Sequence, residues 1–285
     1  MSSPHTHPWP TLTRYDQDHL ARIALPLGGI GTGTISLGGR GNLHDWEVVN
    51  RPAKGFTPPN SFFALYARPA GRPAITRALE GALAPHYEGS SGSTAANHGL
   101  PRFRRCSFAA AYPLGQIELS DPDVPLEVRI EAFNPLVPAD ADLSGIPAAI
   151  LRFVLTNPTD QPVTAAVCGC LQNFIGADGS GGAPTRNYNQ FRHMADAAPI
   201  QGIALASAGV DPGAEQFGTL ALATTARAGV TYRTAWARLS WSNALLDFWD
   251  DFSADGALDE RAQGEEHAPV ASLAVRLTVP VGVGF

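Results

Sequence analysis

Apolar and polar residues alternate with a period of two through the middle of this chain, the repeat expected of a strand with one buried face. Leu126, Val128, Ile130 and Ala132 alternate with Glu127, Arg129, Glu131 and Phe133. Ala149, Leu151, Phe153 and Leu155 alternate with Ile150, Arg152, Val154 and Thr156. The following NPTDQP is a turn by composition, because Pro158 and Pro162 cannot donate to a ladder. Residues 163–171 then read as the partner strand running back, a long antiparallel hairpin. Further strands are predicted at 62–67, 218–225, 230–236 and 270–279, with loop-like sequence over 68–101 and 176–182. One segment departs from this pattern. Asn243 is placed to cap a helix whose stripe is Leu245, Leu246, Phe248, Trp249 and Phe252, and Gly256 suits its stop. Asp247, Asp250 and Asp251 are then expected to face solvent. The pattern predicts an all-β protein, a large antiparallel β-sandwich with one short helix near 244–253.

The stretch that organises the rest is 23–50, IALPLGGIGTGTISLGGRGNLHDWEVVN. Its glycines demand positive φ or close backbone approach at several points in a row. A phosphate loop is the first candidate, but Thr34 occupies the position where a dinucleotide fingerprint needs its third glycine. No G-K-[ST] follows either. Instead Thr34 to Leu37 alternate as a strand, Gly38 to Asn42 form a turn, and an extended segment carries Asp45, Trp46 and Glu47. The stretch is read as a hairpin with a glycine-rich approach.

Composition narrows the class. Gly 29 and Pro 24 in 285 residues, with 16% charged, favour many turns between short strands. A net charge of −6 without a basic run argues against nucleic acid as a partner. Three scattered cysteines make no disulfide framework, and no stretch has the roughly 18 apolar residues of a membrane span. A cytoplasmic protein without a transmembrane segment is expected. Residues 1–22, with His5 and His7 among prolines, read as a flexible, solvated lead-in to a domain spanning 23–285. The apolar finish VPVGVGF predicts that the natural domain continues past Phe285.

The chemistry on offer is sparse. Asp45 and Glu47, two apart on a strand beside Trp46, are the best carboxylate pair, but they lie along one surface instead of flanking a pocket. Cys168 and Cys170 share a face, yet a zinc site needs a second pair, so they read as small buried residues. No G-x-S-x-G supports a serine nucleophile. Arg102, Arg104 and Arg105 read as a solvated loop face, and most of the five tryptophans as core.

LPLGGIGTGTISLGGRGN followed by Asp45-Trp46-Glu47 resembles the opening signature of glycoside hydrolase family 116, which includes non-lysosomal glucosylceramidases and bacterial β-glucosidases. The segment LSGIP at 143–147 and the stretch FWDDFSADGALDE at 248–260 are similar in order and spacing. The resemblance implies the N-terminal β-sandwich of a two-part retaining enzyme. Its glutamate nucleophile and aspartate acid/base belong to a helical barrel domain that these 285 residues do not contain. It therefore implies no catalytic residue here, no cofactor and no metal. The implied partner is that helical domain, in cis or separately encoded, through which a β-glucoside or glucosylceramide-like substrate is met. Arg40, Asp45, Trp46, Glu47, Asn50 and Arg51 become candidates for the domain interface or the substrate entrance. The alternatives are a free-standing carbohydrate-binding module and a structural interaction module.

Overall fold

The computed structural model describes residues 12–49, 51–83, 99–193, 200–241, 243–261, 264 and 267–282. His5, His7 and Asn50 lie outside the described residues, as does the apolar finish from 283 onward. The strands in chain order are β1 (Thr13–Tyr15), β2 (Ala24–Leu27), β3 (Thr34–Gly38), β4 (Leu43–Glu47), β5 (Phe62–Pro69) and β6 (Ile75–Gly81). Next come β7 (Arg102–Phe103), β8 (Arg105–Ala111), β9 (Leu114–Ser120), β10 (Glu127–Phe133), β11 (Ile150–Thr156) and β12 (Val163–Gln172). The last are β13 (Asn187–His193), β14 (Gln201–Ser207), β15 (Leu220–Thr224), β16 (Val230–Arg233) and β17 (Val270–Val279). The helices are α1 (Ala141–Ser144) and α2 (Asn243–Asp255).

The protein is mostly β, as the alternation requires, but its strands divide among four sheets in a propeller-like arrangement instead of one clear sandwich. A five-stranded sheet has the order β1-β8-β9-β10-β11, and a six-stranded sheet the order β16-β17-β12-β5-β6-β7. Two three-stranded sheets, β13-β14-β15 and β2-β3-β4, complete the set. Pairing is antiparallel except between β6 and β7. The largest core joins the two big sheets: Phe108, Ile117, Val128 and Ile130 meet Leu65, Leu79, Ala165 and Val279. On its other face the six-stranded sheet buries Tyr66, Cys168 and Ala274 against Phe248 and Phe252 of α2 and Trp236.

The predicted hairpin between 149 and 171 does not form. β11 pairs with β10, whereas β12 lies between β5 and β17 in the other large sheet. The burial along β12 explains the choice. Neighbouring positions Ala165 and Ala166 are both fully buried, as in a strand covered on both faces, and a hairpin at the edge of the outer sheet offers no such cover. The turn between them crosses from sheet to sheet, held by Asn157, whose side-chain amide donates to the carbonyls of Gln161 (2.8 Å) and Val279 (3.1 Å). β6 lies where loop was expected, and β1 pairs with β8 from within the segment assigned to a flexible lead-in. The helix prediction holds. The Gly256 N–H, at φ +79°, closes α2 on the Phe252 carbonyl at 2.9 Å.

Candidate functional site

The glycine-rich approach is shaped by backbone contacts. Gly28, Gly31 and Gly33 have φ of +111°, +76° and +91°. The Ile30 N–H donates to the Ser144 carbonyl at 2.8 Å, laying the loop on α1. A Cβ on Gly29 would stand 2.5 Å from the backbone of Gly145, and one on Gly33 would stand 2.8 Å from the Glu47 carbonyl oxygen. Two of the segments singled out by resemblance, the glycine loop and LSGIP, thus touch in the fold.

Beyond the loop, β3 and β4 pair with a register shift. Thr34 faces Glu47 while Ser36 faces His44, so β4 carries an extra residue. That residue is Asp45, held at φ +50°. The bulge breaks strict alternation, and Asp45 and Trp46 are both buried. Asp45 Oδ1 accepts from the Gly55 N–H at 2.6 Å, while Oδ2 lies 3.1 Å from His44 Nδ1 and 3.6 Å from Lys54 Nζ. Burial pushes its pKa up. The Gly55 N–H and the charges of His44 and Lys54 outweigh burial and hold the carboxyl below its ordinary value. Glu47 Oε1 accepts from the Ala53 N–H at 3.0 Å, and Oε2 lies 3.4 Å from Lys54 Nζ. The two carboxylates therefore clamp the connector at 53–55, facing the chain's own backbone.

The other candidates also turn inward or sideways. Trp46 packs edge-on against Phe174, with ring centroids 5.5 Å apart, so it presents no platform for a sugar. Arg40 is buried and pairs with Glu80, whose Oε2 also takes Arg102 Nε at 3.1 Å. Arg102 is thus a buried partner where a solvated loop residue was expected. Arg51, partly exposed, reaches the 176–182 loop, where Nη1 donates to Asp178 Oδ2 at 3.2 Å, and its Nη2 pairs with Glu215 in the β14–β15 connection. Asp178 is buried and also accepts from the Ser180 N–H (3.0 Å), the Ser180 hydroxyl (2.7 Å), the Gly181 N–H (3.2 Å) and Gln216 Nε2 (3.0 Å). Burial alone would raise its pKa, but these donors bring it down to about 2.

A family model described as beta-glucosidase 2, glycosyl-hydrolase family 116 N-term, matches residues 24–283. The chain belongs to glycoside hydrolase family 116, as its N-terminal domain. The match takes in every strand of this family 116 domain from β2 to β17 and the whole candidate region.

Sequence reasoning missed several buried charges of the family 116 domain. Arg233, fully buried, lies 3.0 Å from Asp247 Oδ2 and 2.7 Å from Asp251 Oδ2, and its Nε donates to the Asp259 carbonyl at 3.0 Å. Asp247 and Asp251 therefore face the core, contrary to the expectation of solvation, and only Asp250 is exposed among the three. Their four-residue spacing put them on one helix face, the signal that a cation stands opposite. Cys168 and Cys170 are free and buried, as the small-residue reading had them.

A groove of about 420 Å³ lies on the outer face of the five-stranded sheet, edged by Arg105, Glu118, Glu127 and Arg129. Among the described residues its lining holds no aromatic ring. Also among them, no group of three His, Cys, Asp or Glu is placed to hold a metal ion, and no helix is long and apolar enough to cross a membrane.

Proposed function

We propose that this chain is the non-catalytic β part of a retaining β-glucosidase- or glucosylceramidase-type hydrolase. It packs on a helical catalytic domain and helps to shape the substrate entrance. The observation that carries this reading is the family match over 24–283. The geometry agrees with it. A glycosidase places two carboxyl groups about 5–10 Å apart across an open cleft, whereas Asp45 and Glu47 are committed to backbone N–H groups and Lys54. The nucleophile and the acid/base then reside on the helical domain, and a β-glucoside reaches this chain only through it. Three free cysteines support a reducing, cytoplasmic setting.

The reading is tested with an aryl β-glucoside. The purified 285-residue chain is expected to give no turnover above buffer, and a helical domain of a family 116 enzyme to gain activity when the chain is added. Turnover by the chain alone overturns the proposal, and so does a helical domain indifferent to its presence.

A further inference from the structure

Among the described residues, eight of the fourteen large apolar side chains left exposed lie on the glycine loop, the β8–β9 turn, the end of the five-stranded sheet and the β10–β11 connection with α1. The others, Trp241 and Leu246 among them, lie elsewhere. Leu114 and Ile150 are the register partners of Phe133 on its two sides, so the three share the outer face at one end of the five-stranded sheet. Tyr112 stands at the turn joining β8 to β9, and the Asn134 N–H donates to the Pro113 carbonyl at 3.0 Å, fastening that turn to the end of β10. The connection from β10 to β11 folds back through α1. There the Ser144 hydroxyl donates to the Val137 carbonyl (2.9 Å) and accepts from the Val137 N–H (3.0 Å). The same residue's carbonyl holds Ile30 of the glycine loop. Sheet end, α1 and glycine loop thus form one fastened surface, with Ile30 52%, Tyr112 56% and Ile146 44% exposed. A monomer seldom presents contiguous apolar surface beyond a few hundred Å² unless something binds there.

The charges on the α1 side of this surface have one sign, whereas the sheet side carries two arginines against one glutamate. Glu131 is already paired with Arg129 (2.8 Å) and Arg152 (3.3 Å) at the first polar row of the sheet. Segments 25–37 and 133–150 carry no lysine or arginine, and their only charged residues are Asp140 and Asp142 beside α1. Residues 40–47, by contrast, are spent on internal contacts.

We infer that the apolar end formed by the glycine loop, α1 and the β8–β9 turn is the surface on which the helical catalytic domain docks, through a face apolar at its centre and basic opposite Asp140 and Asp142. This rests on reading the chain as part of a two-part enzyme. It moves the contact from the 40–51 region to the apex of the glycine loop and to Ile146. Docking there explains why Gly29 is packed on Gly145 so closely that a side chain has no room. The two backbones set the height of Ile30 beside Ile146.

The test mixes the full 285-residue chain with the helical domain of a family 116 glycosidase and measures binding by sedimentation. Ile30→Asp, Phe133→Asp and Ile146→Asp, at exposed positions, are each expected to weaken association at least tenfold. Leu246→Asp on α2 stays within twofold. Hydrogen exchange on the unmutated chain is expected to slow at 28–33 and 142–147 when the helical domain is added, which guards against a variant that misfolds. Unchanged binding by the three variants, with no protection at those segments, overturns the inference and leaves the two-part reading standing. An unmutated chain that binds no helical domain overturns both. Self-association lost in the same variants, without helical-domain binding, assigns the surface to a second copy and also overturns the inference.

Discussion

At the scale of single residues, the domain stores its charge in specific knots. Asp178 shows this best. Its pKa falls from 3.8 to about 2 because five donors face one buried carboxylate, counting both donors on Ser180. The unfolded chain therefore binds more protons between those values. The contribution of Asp178 is full above about pH 4 and is lost as pH falls through about 2. Asp178→Asn is expected to lower stability at neutral pH by about 2–3 kcal/mol and to flatten the rise of the urea midpoint between pH 2 and 4. Arg51→Ala, which removes the partly exposed partner, should cost roughly 1 kcal/mol or less. None of this was legible beforehand. The sequence shows Asp178 in a glycine- and serine-rich loop, and its partners Arg51 and Gln216 are distant in the chain. Asp45 was visible as a carboxylate on an extended segment, but its left-handed backbone was not, because a bulge is a property of the pairing and not of one strand.

Among elements, the ones that read correctly carry their pattern within themselves. The β3–β4 hairpin is bounded by turn glycines and α2 ends at Gly256, and both formed where alternation and the helical stripe placed them, with Asn243, read as a cap, standing as the first residue of the helix. What failed was the assignment of faces and neighbours. Leu246 belonged to the predicted apolar stripe and is exposed, while Asp247 and Asp251 turn to Arg233. Arg233→Ala should cost about 3–5 kcal/mol, since it strands two partly buried carboxylates, and Arg233→Lys should fall between it and the native chain. Urea titration at constant slope measures both. Gly33→Ala is a second element-scale test. Its φ of +91° and the 2.8 Å approach of the Glu47 carbonyl leave no room for a methyl group. A loss of about 2 kcal/mol or more is expected.

For the molecule as a whole, class was legible and sheet membership was not. Period-two sequence reports that a strand has a buried side. It does not report which strand lies beside it, so 149–171 read as a hairpin although Asn157 marks a passage between sheets. The buried cysteines supply a probe of global opening. Burial pushes the Cys106 thiol up to about 12 and the Cys168 thiol well above its ordinary value. An aromatic disulfide reagent at pH 8 should therefore leave Cys106, Cys168 and Cys170 unmodified in the native chain and react with all three in urea, as mass spectrometry would count. The position of β12 has a further consequence during synthesis. Its two neighbours, β5 and β17, each lie about 100 residues away in sequence on opposite sides of it. A nascent chain can pair β12 with β5 while the far edge of β12 waits for β17 to leave the ribosome. Translation stalled before Val270 would leave that alanine- and valine-rich edge open, a template for sticking to other chains, and such intermediates are the ones expected to recruit chaperones.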